Sequence, residues 1–335
     1  MYIIKQIPED FIVKEKSTLE FQQNGRYFYF LMQKKNKNTL EAVQEIARAL
    51  KIKENNIGFA GNKDRNAVTE QVISISGTKK ENILSLNLPN IQLTFLGYRN
   101  EPLSLGELAG NEFCITVRNL EQDRKVSTIQ YIVNYFDEQR FSKQNIEIGK
   151  CLLTKQFSKA TTLLDNARLQ SYLKEQPNDH VGALRLLPSR LLRLYLNAYQ
   201  AWLWNTIVAT FLSSQKDPHI VPYSKGEFIF LQPTKDLLNL EIPLPGASPL
   251  EIPSEIQAII TRVLQQENIT PTDFIIRQFP GLTVMGELRR VFVEVKEFKI
   301  HFTADELHSG KNKAELQFFL PKGSYATIVI KSIFS

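Results

Sequence analysis

The stretch GFAGNKDRNAVTEQ, Gly58 to Gln71, runs from a short apolar segment through a polar turn into a second β-prone run, QVISIS (Gln71 to Ser76). Asn and Asp bond their own backbone in turns, so the local reading is two strands joined by a polar loop. One acid, Asp64, stands in that loop between two cations, Lys63 and Arg65. A solvated turn has this composition. So does a carboxylate kept ionised by nearby positive charge, with cations suited to phosphate. The turn alone leaves both readings open.

Working outward, RYFYFLMQKK (Arg26 to Lys35) is aromatic and reads as a strand. Asn38 and Glu41 form a capping-box pattern ahead of Leu40, Val43, Ile46, Ala47 and Leu50, which share one helical face. IQLTFLGYR (Ile91 to Arg99) and NEFCITVR (Asn111 to Arg118) are further strands around a Gly-marked loop. Ile129, Ile132, Val133 and Phe136 show helical spacing. Strands and helices mix here without regular βαβ alternation, which favours an α+β fold.

From about Lys150 the character becomes helical. FSKATTLLDNARLQSYL predicts a helix, and Pro188 opens a long one through Leu212. A proline-studded segment follows (Pro233, Pro243, Pro245, Pro249, Pro253), read as loops and short strands. Ser254 to Glu267 is a helix, with Ser254 and Gln257 as a second capping box and Ile256, Ile260, Val263 and Leu264 facing inward. From Arg290, Val291, Val293 and Val295 share one face of a strand, and the run up to Pro321 is strand-like. A mostly helical middle between strand-rich ends predicts a domain inserted into a domain.

The 335 residues exceed what one hydrophobic core usually fills, in keeping with two domains. The net charge of +6 and pI of about 9.1 are compatible with a polyanionic partner. Two cysteines, Cys114 and Cys151, exclude a disulfide framework and form no C-x-x-C pair, so they read as small buried hydrophobes. Lys5 and Pro8 interrupt the N-terminal apolar run too early for a signal peptide. Arg193, Asn197, Gln200 and Asn205 make the apolar window Leu191 to Leu212 a buried helix rather than a span. The chain reads as cytoplasmic, and the lack of a heptad seam as a monomer.

The four histidines, His180, His219, His301 and His308, show no i, i+4 metal spacing. No P-loop, dinucleotide-binding glycine turn or nucleophile elbow is present. A cofactor-free reaction run by a carboxylate remains open.

GNKDRNAVTEQ resembles the signature of the TruD family of RNA pseudouridine synthases, in which a Lys-Asp pair precedes Ala-x-Thr-x-Gln. Five further blocks resemble that family in order: PEDFIVKE (Pro8 to Glu15), LGELAGNEFCITVR (Leu105 to Arg118), NYFDEQRF (Asn134 to Phe141), NAYQAWLWN (Asn197 to Asn205) and LPKGSYAT (Leu320 to Thr327). The resemblance implies a catalytic domain with a mixed, mainly antiparallel sheet at 1–149 and 291–335. A TruD-type helical insertion would occupy 150–290. It implies isomerisation of uridine to pseudouridine in RNA, tRNA above all and its uridine 13 in particular, without a cofactor or metal.

By the same resemblance Asp64 is the catalytic aspartate, and Phe11, Asn134 and Tyr325 line the target-base pocket. Lys5, Lys63, Arg65 and Arg140 are candidate electrostatic or RNA contacts. The family position of Tyr325 is aromatic, often Phe, and the hydroxyl adds a polar contact. Read from residue type alone, Phe11 and Tyr325 are core aromatics, Asn134 a cap or turn residue, and Arg140, Arg190 and Arg193 solvated charges. Trp202 and Trp204 read as packing residues of the long helix. Asp137 and Ser142 replace family glycines; if those glycines take positive φ, the loop geometry changes.

Making pseudouridine breaks the C1′–N1 bond and rejoins the ring through C5. An ionised carboxylate can serve as nucleophile, at C6 or at C1′, on a base taken out of the stack. The alternative is a non-catalytic RNA-binding or chaperone module on the same fold, with Asp64 vestigial.

Overall fold

The computed structural model describes residues 2–121, 126, 128–141, 144–248 and 250–335. The chain divides into two compact units, 1–130 with 294–326 and 334, and 131–293 with 327–333 and 335. Residues 131–149, which the sequence groups with the strand-rich end, make their contacts within the second unit.

The first unit is built on one eight-stranded sheet. Its strands are β1 (Phe11–Lys16), β2 (Tyr27–Lys35), β3 (Ile57–Phe59), β4 (Val68–Ile75), β5 (Ile91–Arg99), β6 (Gly110–Leu120), β7 (Lys296–Ala304) and β8 (Asn312–Pro321). The order is β7-β8-β6-β1-β4-β2-β5, with β3 also on β4. Only β1 and β4 run parallel; every other pairing is antiparallel, so the sheet is mixed and mainly antiparallel.

Period-2 alternation decides which side chains go where. Phe30, Met32, Ile73 and Ile75 join Val43, Ile46 and Ala47 of helix α1 (Thr39–Leu50) in one core. Tyr29 and Val72, on the opposite face, pack with Ala60 and Leu103. The helix starts as its capping box predicts, with the Asn38 side chain accepting from Glu41 N and the Glu41 side chain from Asn38 N. Leu40 departs from the expected inward face and is exposed. The buried stripe runs through Thr39, Val43 and Ile46, which turns Leu40 to the flank.

One edge of β4 is shared. β1 pairs with Val68, Thr69 and Glu70, and β3 with Ile73, Ser74 and Ile75. The loop 60–67 therefore leaves β3 halfway along β4 and returns to its start. Gly58 lets β3 lie this close: a Cβ there would sit 2.4 Å from the Leu103 carbonyl oxygen and 2.6 Å from Ser74 Oγ.

The second unit is mainly helical, around the long helix Ser189–Ser213. The expected single helix over Phe157 to Leu173 is two, Phe157–Leu163 and Ala167–Glu175, because Asn166 caps a new start by accepting from Leu169 N. Pro188 stands at the N-cap, one residue before the long helix begins. Gly149 of helix Asn145–Leu153 admits the long helix, since a Cβ would meet the Tyr195 carbonyl oxygen at 2.2 Å. Trp204 is fully buried and donates to the Ile242 carbonyl; Trp202 donates to that of Lys225.

Three further expectations for local structure fail. Ile129 to Phe136 is not helical: Tyr131–Val133 is a short strand paired with Phe292–Glu294, as β-branched residues prefer. Ser254 does not cap its helix; Pro253 takes the N-cap position and Ser254 is the first helical residue. The valines 291, 293 and 295 do not share one continuous strand. Val291 separates Glu287–Arg290 from Phe292–Glu294, and Val295 precedes β7. Beyond Pro321 the chain forms a helix, Ala326–Phe334.

Among the described residues no helix is long and apolar enough to cross a membrane.

Candidate active site

The loop carrying Asp64 is fixed by polar groups that alternation and capping bring beneath it. Buried Gln71 of β4 donates through Nε2 to the Gly61 carbonyl at 3.0 Å and accepts through Oε1 from Thr39 Oγ1 at 2.8 Å. Thr39 Oγ1 in turn accepts from Lys63 N at 2.8 Å. Gly106 N donates to the Ala60 carbonyl at 2.8 Å, and Asn36 N to that of Ala67 at 3.3 Å. Lys34 Nζ donates to the Asp64 carbonyl at 3.0 Å. The middle of the loop is thus tied to the sheet and to α1, and its ends to the neighbouring turns at Gly106 and Asn36.

The Asp64 carboxylate is 30 % exposed and meets Lys5 Nζ at 2.6 Å. Lys5 lies in a different segment, the turn before Phe11, and the same ammonium stands 4.1 Å above the centre of the Phe11 ring. Phe11 is otherwise buried, edge-on to Phe113. Lys5 holds a φ of 57°, the left-handed region that a lysine seldom takes. Such strain persists where surrounding structure imposes it. Here the imposing group is Asp10, whose Oδ2 accepts from Gln6 N and Ile7 N, each at 3.1 Å. Arg118 in turn grips Asp10, Nε to Oδ1 at 2.9 Å and Nη2 to Oδ1 at 2.8 Å.

The two cations beside Asp64 in sequence take other partners. Lys63 is buried and pairs with Glu15 at 3.0 Å while donating to Asn111 Oδ1. Arg65 is exposed and lies 3.4 Å from Glu41. The charge at Asp64 is balanced across 59 residues by Lys5.

Tyr325 is half-buried in the turn after β8, in the first unit. Leu320, five residues before it, is the register partner of Asn111, which Lys63 contacts. The structure thus brings Lys5, Phe11 and Asp64 together and ties Lys63 to the strand row that leads to Tyr325.

Asn134 and Arg140 belong to the second unit. Asn134 is buried after the strand Tyr131–Val133, its N bonded to the Val291 carbonyl at 2.7 Å and its Nδ2 to the Arg290 carbonyl at 3.3 Å. Its buried Oδ1 has no hydrogen-bond partner among the described residues. Arg289 fixes the backbone here, donating to the Asn134 carbonyl through Nη2 at 2.8 Å with its guanidinium 4.1 Å over the Phe136 ring. Arg140 stands 5.1 Å over the same ring.

Asp137 takes no positive φ, so the concern over its replacing glycine does not arise. It is buried against Lys331, Oδ1 to Nζ at 2.9 Å, and Lys331 also bonds Glu138. Although burial pushes the Lys331 amine down, these two carboxylates outweigh it and hold it above its ordinary value. Ser142 lies outside the described residues.

Sequence reasoning missed Lys34, Thr39 and Arg289. Alternation from Phe30 and Met32 marks Lys34 as inward-facing, but a lysine at a strand end reads as solvated. Arg289 acts on Asn134 across 155 residues, and no local pattern announces that.

Comparison with known proteins agrees with these blocks. The family model for tRNA pseudouridine synthase D (TruD) matches residues 2–167 and 163–333. A tRNA pseudouridine synthase D from Aquifex aeolicus is 32 % identical, the match covering 99 % of this chain and 97 % of that one. One from Syntrophotalea carbinolica is 29 % identical over 98 % of this chain and 95 % of its own. A crystal structure of a Methanosarcina mazei protein assigned to tRNA pseudouridine synthase D superposes with a TM-score of 0.72 at 26 % identity, covering 98 % of this chain and 92 % of that one. The chain belongs to the TruD family of tRNA pseudouridine synthases.

Proposed function

We propose that this enzyme converts uridine to pseudouridine in tRNA, at uridine 13, with Asp64 as nucleophile acting on a base turned out of the stack. The observation that carries the reading is the Asp64 carboxylate itself, part-exposed on a loop whose backbone is pinned, with Lys5 as its counter-ion at 2.6 Å. A nucleophile held by rigid surroundings and paired to one cation needs little reorganisation before attack.

The reaction is an isomerisation. The C1′–N1 bond breaks, the uracil turns, C5 bonds to C1′, C5 loses its proton and N1 gains one. Attack at C6 and attack at C1′ both need an ionised carboxylate beside the flipped nucleotide. Phe11 and Tyr325, both in the first unit with Asp64, are the aromatic residues this reading assigns to such a base. Lys63 and Arg65 serve the loop through Glu15 and Glu41, and Arg65, being exposed, is also placed for phosphate.

The test is tritium release from C5-labelled uridine in unmodified tRNA. The native enzyme releases it, and Asp64→Asn binds the tRNA without releasing it. Release by Asp64→Asn at the native rate overturns the nucleophile assignment; binding without release by the native protein favours a binding module instead.

A further inference from the structure

We propose that Lys34 is a positioning residue of this site, its buried ammonium clamping the backbone of Asp64 to the end of β2 and so setting where the carboxylate points. The inference rests on Asp64 being the reactive residue.

Four lysines stand close together, Lys34, Lys35, Lys37 and, on the loop, Lys63. Lys34 is the one that strand alternation turns inward, in the row of Phe30 and Met32 beneath α1, and it is 1 % exposed. Its Nζ donates to two main-chain carbonyls, that of Asp64 at 3.0 Å and that of Lys37. These join the loop 60–67 to the turn between β2 and α1. The side chain of Asp64 projects from the very residue whose carbonyl is held, so a shift in the clamp is passed to the carboxylate through one Cα.

Fold stability alone gives little reason for an ammonium here. Taking a charge out of water is costly, so packing of the Phe30–Met32 row does not by itself call for an ammonium at its end. The lysine instead supplies charge-assisted bonds, about twice as strong as neutral ones, at a point where precision matters. The charged groups facing it are Asp64 and Lys63 from the loop and Glu41 from α1. Burial brings its amine down to about 8, Lys63 pushes the same way, and Asp64 and Glu41 partly oppose. The clamp is therefore mostly charged at neutral pH and loses its charge as pH rises through about 8.

The experiment measures single-turnover pseudouridine formation, tRNA affinity and thermal unfolding for the native enzyme, Lys34→Met and Lys34→Gln between pH 6.5 and 9.5. A clamp that positions the nucleophile makes the rate of Lys34→Met fall on the order of 10- to 100-fold at pH 7, the scale of a misplaced reacting group. Affinity and unfolding temperature stay level or, for the latter, rise. The native rate declines several-fold through about pH 8, and this limb is absent from both variants. Native-like rates in a folded variant, or the same alkaline limb in native enzyme and variants, overturn the proposal. A native profile flat to pH 9.5 does so without any variant. Asp64→Asn, run alongside, separates the two readings. If it is active, the nucleophile assignment fails; if it is inactive while Lys34→Met is fast, only the clamp fails.

Discussion

Replacing Arg118 by Met removes the cation at the centre of the most buried charge cluster in the first unit. The guanidinium is 3 % exposed, and of the three carboxylates it meets, Asp10 and Asp305 are 1 % and 0 % exposed while Glu306 is exposed. Removing one partner of a buried pair costs about 3–5 kcal/mol, because the remaining charge is left in a medium that solvates it poorly. Here two buried acids lose their cation, which argues for the upper figure. Each also keeps two backbone donors, Gln6 and Ile7 for Asp10 and Asn119 and Leu307 for Asp305, which argues for the lower. A loss of about 3 kcal/mol follows, or a fall of roughly 6–12 °C in the unfolding midpoint for a unit of this size.

The sign of the pH dependence is a second check. Although burial pushes the Asp305 carboxyl up, the amides of Asn119 and Leu307 and the Arg118 guanidinium outweigh it and hold it below its ordinary value. Its contribution in the native protein is present above the unfolded carboxyl value and is lost as pH falls through the lower folded one. Without Arg118 the Asp305 carboxyl loses one of the groups that hold it down, so the variant's deficit is largest at pH 7 and shrinks as pH falls into the carboxylate range. Both tryptophans lie in the second unit, so their fluorescence is the wrong probe. Hydrogen exchange at β1 and β6 amides reports the first unit directly. A loss under about 1 kcal/mol, or one that does not change with pH, refutes the reasoning.

Lys5→Met removes the counter-ion of Asp64 and the cation over Phe11, so the rate of tritium release falls by about tenfold or more while tRNA affinity changes little; an unchanged rate contradicts the pairing. Asp137→Gly removes a charge-assisted bond to Lys331, which keeps Glu138, so urea unfolding shows a loss of about 1–2 kcal/mol; a stabilised variant contradicts this.

The sheet was legible because its strands are either cleanly alternating or β-branched and aromatic: β2, β5 and β6 lie within a residue or two of where periodicity puts them. Helix α1 announced itself through Asn38 and Glu41. Legibility ended where a tertiary partner chose among local options. Tyr131–Val133 had apolar spacing that suited a helix, and the distant strand Phe292–Glu294 made it a strand. The final helix is rich in Ile and Val, and burial of Ile328, Val329 and Ile330 overrides their strand preference. In the site, residue types were readable but partnerships were not. Nothing near Asn134 in sequence points to Arg289, and nothing near Asp64 points to Lys34.

The charges beside Asp64 show why. Sequence proximity suggests that Lys63 and Arg65 neutralise it, yet neighbours on a non-helical loop direct their side chains apart. Lys63 goes under the loop to Glu15 and Asn111, and Arg65 goes outward towards Glu41. Each flanking cation thereby cancels an acid of the scaffold rather than the acid between them. Had Lys63 turned to Asp64, buried Glu15 would lack its cation, at the cost of an uncompensated charge in the interior. The loop's backbone is held by Gln71, Thr39 and Lys34, while its own cations are committed elsewhere. The counter-ion of Asp64 must then come from another segment, and Lys5 arrives on a turn that Asp10 and Arg118 keep in a strained shape. Two independently braced segments meeting at one ion pair make the carboxylate's position depend on the scaffold rather than on the turn that bears it.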